Sequence, residues 1–206
     1  MAREPASAGI DTLPHRRRDQ AGRGRPAAAC GVAHTPGPVI AFCSDCGGRT
    51  QPRLVGTRTL DACPRCERIF FRDPKLVVTA LIEHDGRVLL VRRDIEPGRG
   101  LWGMPGGYVD WDEHPEAAMA RECREETGVE VAAEGLVGVQ HVTLAEGEGA
   151  VVLSYRARIL RGEAAAGDET QEVGWFSPRE LPRLAFASHG AVLQDWARDV
   201  QSRGAA

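Results

Sequence analysis

The sequence predicts an α/β domain that follows a small metal-stabilised module. Two CxxC pairs in residues 39–72 indicate the module, since paired CxxC turns are typical of structural zinc sites. Runs of β-branched residues on both sides of a helical segment at residues 115–127 indicate the domain. Glycine and proline separate these runs, as expected where short loops join strands and helices.

The composition is that of an ordinary globular protein with room for one domain and a small module. Of the 206 residues, 42% are hydrophobic and 27% are charged. The net charge of −3 argues against a strongly basic nucleic-acid binder. The chain shows neither an apolar run of transmembrane length nor a secretory signal, so we expect no membrane partner. Four of the six cysteines lie in CxxC pairs, which predicts a reducing, cytoplasmic location.

Residues 1–38 are predicted to be a disordered tail. They are rich in Ala, Gly, Pro and Arg and show neither a helical nor a strand period. The arginines at 16–18 could touch RNA or phosphate, but a solvated tail is the favoured interpretation. Cys30 and His34 lie away from the CxxC pairs, and we expect them to be bystanders.

The module at residues 39–72 is predicted to be a zinc ribbon. Its four ligands would be the paired cysteines Cys43, Cys46, Cys63 and Cys66. Two CxxC turns complete a closed tetrahedral site, which is the arrangement of structural Zn²⁺. A redox role needs only one CxxC in a thioredoxin-like context, and that context is absent from the sequence. Because so short a segment has little apolar surface, the metal would supply its folding free energy.

The domain begins with a predicted hairpin and a glycine-rich loop. Residues 75–83 and 87–93 are β-branched runs joined by the turn signal His84-Asp85-Gly86. Residues 95–106 form a loop around Trp102 that leads into Gly106 and Gly107, where the backbone can approach a ligand closely.

The next segment, Pro115 to Thr127, is predicted to be a helix. Pro115 suits the first helical position and Gly128 the position just past the end. Around Cys123, a spacing of 100° per residue gathers a buried stripe. The stripe comprises Cys123, Met119, Ala120 and Thr127.

Three carboxylates form a contiguous acidic arc on this helix, at Glu122, Glu125 and Glu126. Like charges three and four residues apart repel one another, and the C-terminal half of a helix disfavours anions. A divalent cation held among these carboxylates would explain the arrangement. A solvated acidic face is the ordinary alternative.

Three strands and a closing helix are predicted beyond the acidic helix. The strands are residues 129–144, with a bend at Glu134-Gly135, then 151–160 and 173–176. The capping-box pattern at 177–180 predicts a further helix start. Residues 190–200 are predicted to form the closing helix, whose apolar face carries Val192, Leu193, Trp196 and Val200.

Residues 107–129 resemble the Nudix box, G-x5-E-x7-R-E-U-x-E-E-x-G-U, in which U is aliphatic. Gly107, Glu113 and the segment 121–129 match every fixed position. Cys123 stands at the first U, where a small buried hydrophobe serves the same packing role. The resemblance covers residues 74–200 and implies a Nudix α/β/α sandwich with a mixed sheet. It also implies hydrolysis of a nucleoside diphosphate linked to another group.

The resemblance implies roles for the residues of the box. Glu122, Glu125 and Glu126 occupy the positions that bind Mg²⁺ or Mn²⁺, with the Gly107 carbonyl as a further ligand. Hard carboxylate oxygens are the ligands that Mg²⁺ prefers. The predicted catalytic set contains these three glutamates and two further residues of the box, Glu113 and Arg121. Glu113 and Arg121 would pair and fix the loop onto the helix.

Residues outside the box complete the predicted site. The general base is left open between Glu122 and a later glutamate, Glu169 or Glu172, with Glu172 included in the catalytic set. The predicted substrate-binding residues are Arg93, Trp102, Gly106 and Gly107. Arg92 and Arg99 also flank the loop, although all three arginines could be ordinary surface residues.

The ribbon ahead of the box resembles zinc-ribbon Nudix hydrolases that include plant plastid FAD and ADP-ribose pyrophosphatases. The motif that NADH pyrophosphatases carry after the box is absent from residues 181–188. We therefore expect cleavage of ADP-ribose or FAD with release of AMP, and NADH or an NAD-capped RNA end as the alternative substrate. A Nudix-fold regulator without catalysis is disfavoured, because no box glutamate is lost. Many relatives dimerise, so a homodimer is compatible with the resemblance.

Overall fold

The computed structural model describes residues 40–144 and 147–204. The predicted disordered tail at residues 1–38, with Cys30 and His34, lies outside the described residues.

Residues 40–72 form the ribbon. Its three short strands, β1 (Gln51–Val55), β2 (Arg58–Ala62) and β3 (Ile69–Phe70), make an antiparallel sheet in that order. The buried centre is small: Cys43, Ala62 and Cys63 are its buried hydrophobic residues. So little apolar burial cannot offset the entropy of ordering the module, which leaves the cysteines as its organising feature.

A seven-stranded mixed sheet forms the main domain, as predicted. Its strands are β4 (Lys75–His84), β5 (Arg87–Arg93), β6 (Trp102–Gly103), β7 (Gly106–Tyr108), β8 (Glu130–Thr143), β9 (Gly149–Arg161) and β10 (Thr170–Phe176). The main path runs β10-β5-β4-β9-β8, with β6 paired to β5 and β7 paired to β4. Strands β4 and β9 are parallel, while the other pairs are antiparallel.

Strands β4 and β5 separate after two paired positions next to their turn. The segment from β6 to β7 fills the opening between them, so that Gly106 and Gly107 lie beside Thr79 and Val78 of β4. The glycine-rich loop is thereby placed in the middle of the sheet.

Two helices cover the two faces of this sheet, which confirms the α/β/α sandwich. Helix α1 (Pro115–Thr127) packs over one apolar cluster and α2 (Ala187–Gly204) over the other. Neighbouring residues of β4 enter opposite clusters, since Ala80 and Ile82 lie with α1 and Leu81 lies with α2. The predicted apolar face of the closing helix is confirmed, because all four of its residues belong to the second cluster.

The predicted bounds of α1 are confirmed, and its ends have clear physical causes. The side chain of His114 accepts a hydrogen bond from the Glu116 N–H at the N-terminus. Gly128 adopts a left-handed conformation, with φ of 71°, and its N–H reaches the Arg124 carbonyl. The predicted bend in β8 is also present, as a register shift between Ala133 and Gly135.

The helix predicted at Ser177 is wrong. The segment forms a turn in which the Glu180 N–H donates to the Ser177 carbonyl at 3.0 Å. The Ser177 hydroxyl donates to the Glu180 carboxylate at 2.7 Å. Pro182 stops the helix from continuing, because it lacks an N–H and its ring would clash with the carbonyl four residues earlier. The closing helix is longer than predicted, from Ala187 to Gly204.

Among the described residues, neither helix combines the length and the apolar character that a membrane span requires.

Candidate metal-dependent active site

A cavity of about 610 Å³ lies between α1, the β6–β7 segment and the start of α2. All three carboxylates of the acidic arc line it, with side-chain exposures of 16% for Glu122 and 42% for Glu125. Glu126 is 8% exposed and lies deepest of the three. The helix thus presents a graded row of carboxylates, from buried to solvent-exposed, along one wall.

Glu126 carries its carboxyl group in an environment that penalises the ionised form. Burial raises the pKa of Glu126 to about 8, against the hydrogen bond that the Gly106 N–H donates to its carboxylate at 2.9 Å. Burial likewise raises the pKa of Glu122, against the opposing effect of Arg121. Two carboxylates that are costly to ionise in the protein alone are a fitting donor set for a divalent cation.

Arg121 connects this wall to the loop before α1. Its guanidinium makes a two-pronged contact with Glu113, at 3.1 Å from Nε and 2.9 Å from Nη2. Nη1 lies 2.8 Å from the Glu122 carboxylate and 3.3 Å from that of Glu125. The paired side chains Glu113 and Arg121 therefore fix the loop and aim Glu122 into the cavity.

The α1 carboxylates are more widely spaced than a closed metal site. Among the described residues, the four cysteines of the ribbon are the one group of three or more ligand side chains whose donor atoms all lie within 4.8 Å of one another. Mg²⁺ in proteins retains several waters and takes only some of its ligands from carboxylates, so an open arrangement of this kind still fits it.

Gly106 and Gly107 bring the backbone against this wall. Gly106 has a φ of 151°, and a Cβ there would collide with the Val78 carbonyl. A Cβ on Gly107 would collide with the Glu122 carboxylate. Only glycine permits this close approach at both positions. The Gly107 backbone is thereby held next to the carboxylates of the acidic arc.

A loop before β10 brings two further carboxylates into the cavity. The N–H groups of Gly167 and Asp168 each donate at 3.0 Å to the last-turn carbonyls of α1, at Glu126 and Glu125. These contacts place Asp168 and Glu169 among the lining residues. Glu169 has a φ of 58°, a conformation that costs free energy for a residue other than glycine. The strained residue at the cavity is therefore held there by its neighbours.

The structure separates the remaining predicted residues into two groups. Arg93, Gly106 and Gly107 line the cavity, whereas Glu172 and Trp102 are not among its lining residues. The Glu172 carboxylate lies 3.6 Å from Arg92 on the sheet. Trp102 packs edge-on against Phe176, with ring centroids 4.8 Å apart, within the α2 cluster.

The sequence reasoning missed two aromatic residues at the start of α2. The Arg93 guanidinium lies 5.0 Å from the centroid of the Phe186 ring, and that ring contacts His189 at 5.1 Å. Both residues line the cavity. Phe186 lies within residues 181–188 and His189 directly follows them, and this segment matches no motif. A phenylalanine and a histidine three residues apart, just before the predicted helix, were the available signal.

An apolar wall lies opposite these polar groups. It is formed by side chains of β4, β8, β9 and the adjoining loops, namely Val77, Val142, Leu144, Val152 and Ile95. A cavity with an acidic wall, two arginines and an apolar wall can hold a charged linkage and a flat apolar group at once.

The four cysteines of the ribbon fit structural zinc. The Sγ atoms of Cys43 and Cys66 lie 3.5 Å apart, as do those of Cys46 and Cys63. Tetrahedral Zn²⁺ with Zn–S bonds near 2.3 Å would place them about 3.8 Å apart, so little movement is needed. The backbone N–H of Cys66 is the main cause that lowers the pKa of Cys63 to about 7, which favours the thiolate that a metal requires.

The chain was compared with known sequences. The NUDIX domain family matches residues 73–196. The ADP-ribose pyrophosphatase of Methanocaldococcus jannaschii is 34% identical over 153 residues, which are 74% of this chain and 87% of that protein. The NAD-capped RNA hydrolase NudC of Pseudomonas aeruginosa is 31% identical over 147 residues, which are 69% of this chain but half of that protein.

Solved structures gave a concordant result. A NUDIX hydrolase from Nitrosomonas europaea superimposes with a TM-score of 0.69 at 31% identity, covering 80% of this chain and 93% of that one. An ADP-ribose pyrophosphatase from Streptococcus suis superimposes with a TM-score of 0.51 at 28% identity, covering 64% of this chain and 92% of that one.

Proposed function

Because the chain belongs to the Nudix hydrolase family, we propose that it cleaves the diphosphate of ADP-ribose or FAD and releases AMP. The observation that carries the substrate class is the match to the M. jannaschii ADP-ribose pyrophosphatase. The NUDIX match begins at residue 73, and residues 73–206 number 134. The alignment covers 153 residues, so it must also include residues before 73. The likeness therefore continues upstream into the segment that contains the ribbon.

The acidic wall would hold the catalytic cation. We expect the carboxylates of Glu122, Glu125 and Glu126 and the Gly107 carbonyl to bind Mg²⁺ or Mn²⁺, since all four residues line the cavity. When bound, such a cation neutralises phosphate charge and activates the diphosphate for attack. Arg93 would hold a phosphate oxygen, since its guanidinium is already fixed by the Pro97 carbonyl at 2.9 Å and by the Phe186 ring.

We assign the role of general base to Glu169 rather than to Glu172. Glu169 lines the cavity near Glu122 and Glu126, while Glu172 is engaged with Arg92 outside it. The Glu169 carboxylate would accept one proton from a water molecule while the oxygen of that water forms a bond to phosphorus. The bridging P–O bond then breaks, and the phosphate of the second product leaves with the electron pair.

The apolar wall would receive the adenosine of the substrate. Its valines are small and leave the cavity wide, and a nucleoside presents one flat apolar face. The diphosphate would then lie toward the carboxylates and Arg93.

NADH and NAD-capped RNA form a second candidate substrate class. NudC of P. aeruginosa matches 69% of this chain, and NAD shares the AMP and the diphosphate with ADP-ribose. The chain spans only half of that protein, so the other half has no counterpart in the alignment. ADP-ribose or FAD therefore remains our first proposal.

The test is AMP release from four substrates in parallel: ADP-ribose, FAD, NADH and NAD-capped RNA, each with Mg²⁺. We expect ADP-ribose or FAD to show the highest kcat/KM. Glu125→Gln serves as the catalytic control, since Glu125 is exposed and its loss should abolish turnover while the fold survives. Preference for NADH or capped RNA would replace the first proposal with the second, and inactivity on all four would contradict both.

A further inference from the structure

The first turn of α2 opens onto the catalytic cavity. Ser188 and His189 line it, in a helix of 18 residues that begins at Ala187. Within the described part of the chain, the backbone N–H groups of residues 187–189 have no acceptor, and the first N–H of this turn to be bonded is that of Gly190, at 3.3 Å from the Phe186 carbonyl. Free N–H groups and the helix dipole make such a turn attractive to anions.

His189 supplies a second, independent indication of a ligand. The residue is 6% exposed, and its Nδ1 accepts a hydrogen bond from the Met104 N–H at 3.0 Å. A Cβ on Gly103 would lie 3.0 Å from Nδ1 and 3.2 Å from Cε1, so this edge of the ring packs against β6. An Nδ1 that accepts leaves the proton on Nε2. No group among residues 40–144 and 147–204 accepts from Nε2, so this side chain, only 6% exposed, has a donor without a protein acceptor at the cavity that it lines.

The surroundings keep this imidazole neutral. Burial, with a contribution from Arg93, lowers the pKa of His189 to about 4. The ring therefore acts as a hydrogen-bond donor without adding charge, and Arg93 provides the positive charge beside it. Phe186 contacts both side chains and holds them in place.

Arg93 also connects this turn to the acidic wall. It lies close enough to Glu126 to lower the pKa of that carboxyl and close enough to His189 to lower the pKa of the imidazole. Glu126, Arg93 and His189 therefore line one cavity, with the Arg93 charge acting on both of the other groups. A diphosphate with one phosphate at a cation held by the carboxylates would have its second phosphate available for the α2 turn, with Arg93 near both.

We propose that the first turn of α2, with the Nε2–H of His189, forms a phosphate subsite for the substrate phosphate that lies farther from the catalytic cation. The subsite rests on the proposed function for its natural ligand, and its chemistry is that of a phosphate monoanion or dianion. The turn donates backbone hydrogen bonds, His189 adds a neutral side-chain donor, and Arg93 adds charge.

The direct test uses inorganic phosphate as the probe on the full, zinc-bound chain without added Mg²⁺. Long-range ¹H–¹⁵N spectra of the imidazoles report the tautomer of each histidine and any contact at Nε2. We expect His189 to show the Nε2–H tautomer and to shift saturably with phosphate. A different tautomer, or no shift at His189 at saturating phosphate, would overturn the proposal.

Variants supply a second readout. His189→Asn retains an acceptor for the Met104 N–H but lacks the Nε2 donor. It should weaken inhibition by phosphate and raise KM about tenfold, the usual effect of losing one hydrogen bond to a charged group, while kcat changes less than about twofold. His84→Asn is the matched control, because His84 is exposed at the end of β4. A lower Tm for His189→Asn with unchanged KM and phosphate inhibition would show a packing role and overturn the proposal.

These outcomes are separable from the fate of the proposed function. A phosphate shift at His189 in a chain that cleaves neither ADP-ribose nor FAD would retain the subsite and reject those substrates. Cleavage of ADP-ribose with no phosphate contact at His189 would retain the proposed function and reject the subsite. If His189→Asn fails to fold, the titration of the unaltered chain still decides the question.

Discussion

Replacing Glu126 with glutamine removes an ionisable carboxyl group that the protein buries near Glu122 and Glu169. Glu126 is 8% exposed, and its carboxylate accepts a hydrogen bond from the Gly106 N–H. Glutamine has nearly the same shape, and its amide oxygen can still accept that hydrogen bond. The substitution therefore tests the charge and leaves the packing in place.

The pKa of Glu126 sets how much unfolding free energy is lost when this carboxyl group is buried at a given pH. Burial, opposed by the Gly106 N–H, raises this pKa from 4.5 to about 8. A carboxyl group with a raised pKa contributes stability that is fully present below the unfolded value and is lost as pH rises through the folded value. At pH 7 the loss is about 3 kcal/mol of unfolding free energy, and at pH 5 it is below about 1 kcal/mol. Glutamine does not titrate and avoids this loss.

Urea unfolding of the zinc-bound chain without added Mg²⁺ measures the effect. Glu126→Gln should be more stable than the unaltered protein by about 3 kcal/mol at pH 7 and close to it at pH 5. Added Mg²⁺ should narrow the gap by stabilising only the unaltered protein, and turnover of the variant should be lost. Glu125→Gln is the control, since Glu125 is 42% exposed on the same helix and its change should stay within about 0.5 kcal/mol.

Two results would refute this reasoning. One is a Glu126→Gln protein that is no more stable than the unaltered chain at pH 7 without Mg²⁺. The other is a stability gap of equal size at pH 5 and pH 7, which would trace the effect to packing rather than to charge.

Glu169→Gln should lower kcat about a hundredfold or more, the usual contribution of a general base, whereas Glu172→Gln should stay within about threefold; equal losses would argue against our assignment of the base. Glu83→Gln should destabilise the protein by about 1–2 kcal/mol at pH 7, because Glu83 anchors α2 to β4. Burial alone would raise the pKa of Glu83, but the hydrogen bonds from Arg203 and Trp196 and the positive charges nearby together outweigh it and the net pKa is lowered. Urea unfolding should therefore show a stabilisation by Glu83 that is present above pH 4.5 and is lost as the pH falls. Cys63→Ser should abolish stoichiometric zinc, measured by atomic emission, while the circular dichroism of the helices persists; full zinc retention would contradict the four-cysteine site.

The sequence predicted α1 to the residue because both of its ends carry local signals. Pro115 fits the first turn and Gly128 takes the left-handed conformation that ends the helix. The failed prediction at Ser177 shows the limit of the same reasoning. The capping-box residues do bond to each other there, but Pro182 lies within the turn that would have followed.

The choice between Glu169 and Glu172 could not be made from sequence. Glu169 lines the cavity and Glu172 does not, and the loop that ends at Glu169 is fixed by backbone hydrogen bonds to the last turn of α1. A Cβ on Gly167 would collide with the Glu125 carbonyl, so that contact needs glycine at a position that no local pattern identifies. His189 escaped prediction for the same reason, since its partner Met104 lies 85 residues earlier in the chain.

Three consecutive residues that lead from β6 into β7 connect all three layers of the sandwich. The Met104 N–H donates to His189 of α2, the Pro105 carbonyl accepts from the Ala80 N–H of β4, and the Gly106 N–H donates to Glu126 of α1. Pro105 has no N–H of its own to satisfy, and these three hydrogen bonds each reach a different layer. The acidic wall and the α2 turn are therefore held in register by one short piece of backbone. A shift of either helix would move the carboxylates of α1 relative to the first turn of α2. The spacing between the proposed cation site and the proposed phosphate subsite therefore depends on the whole sandwich rather than on the Nudix box alone.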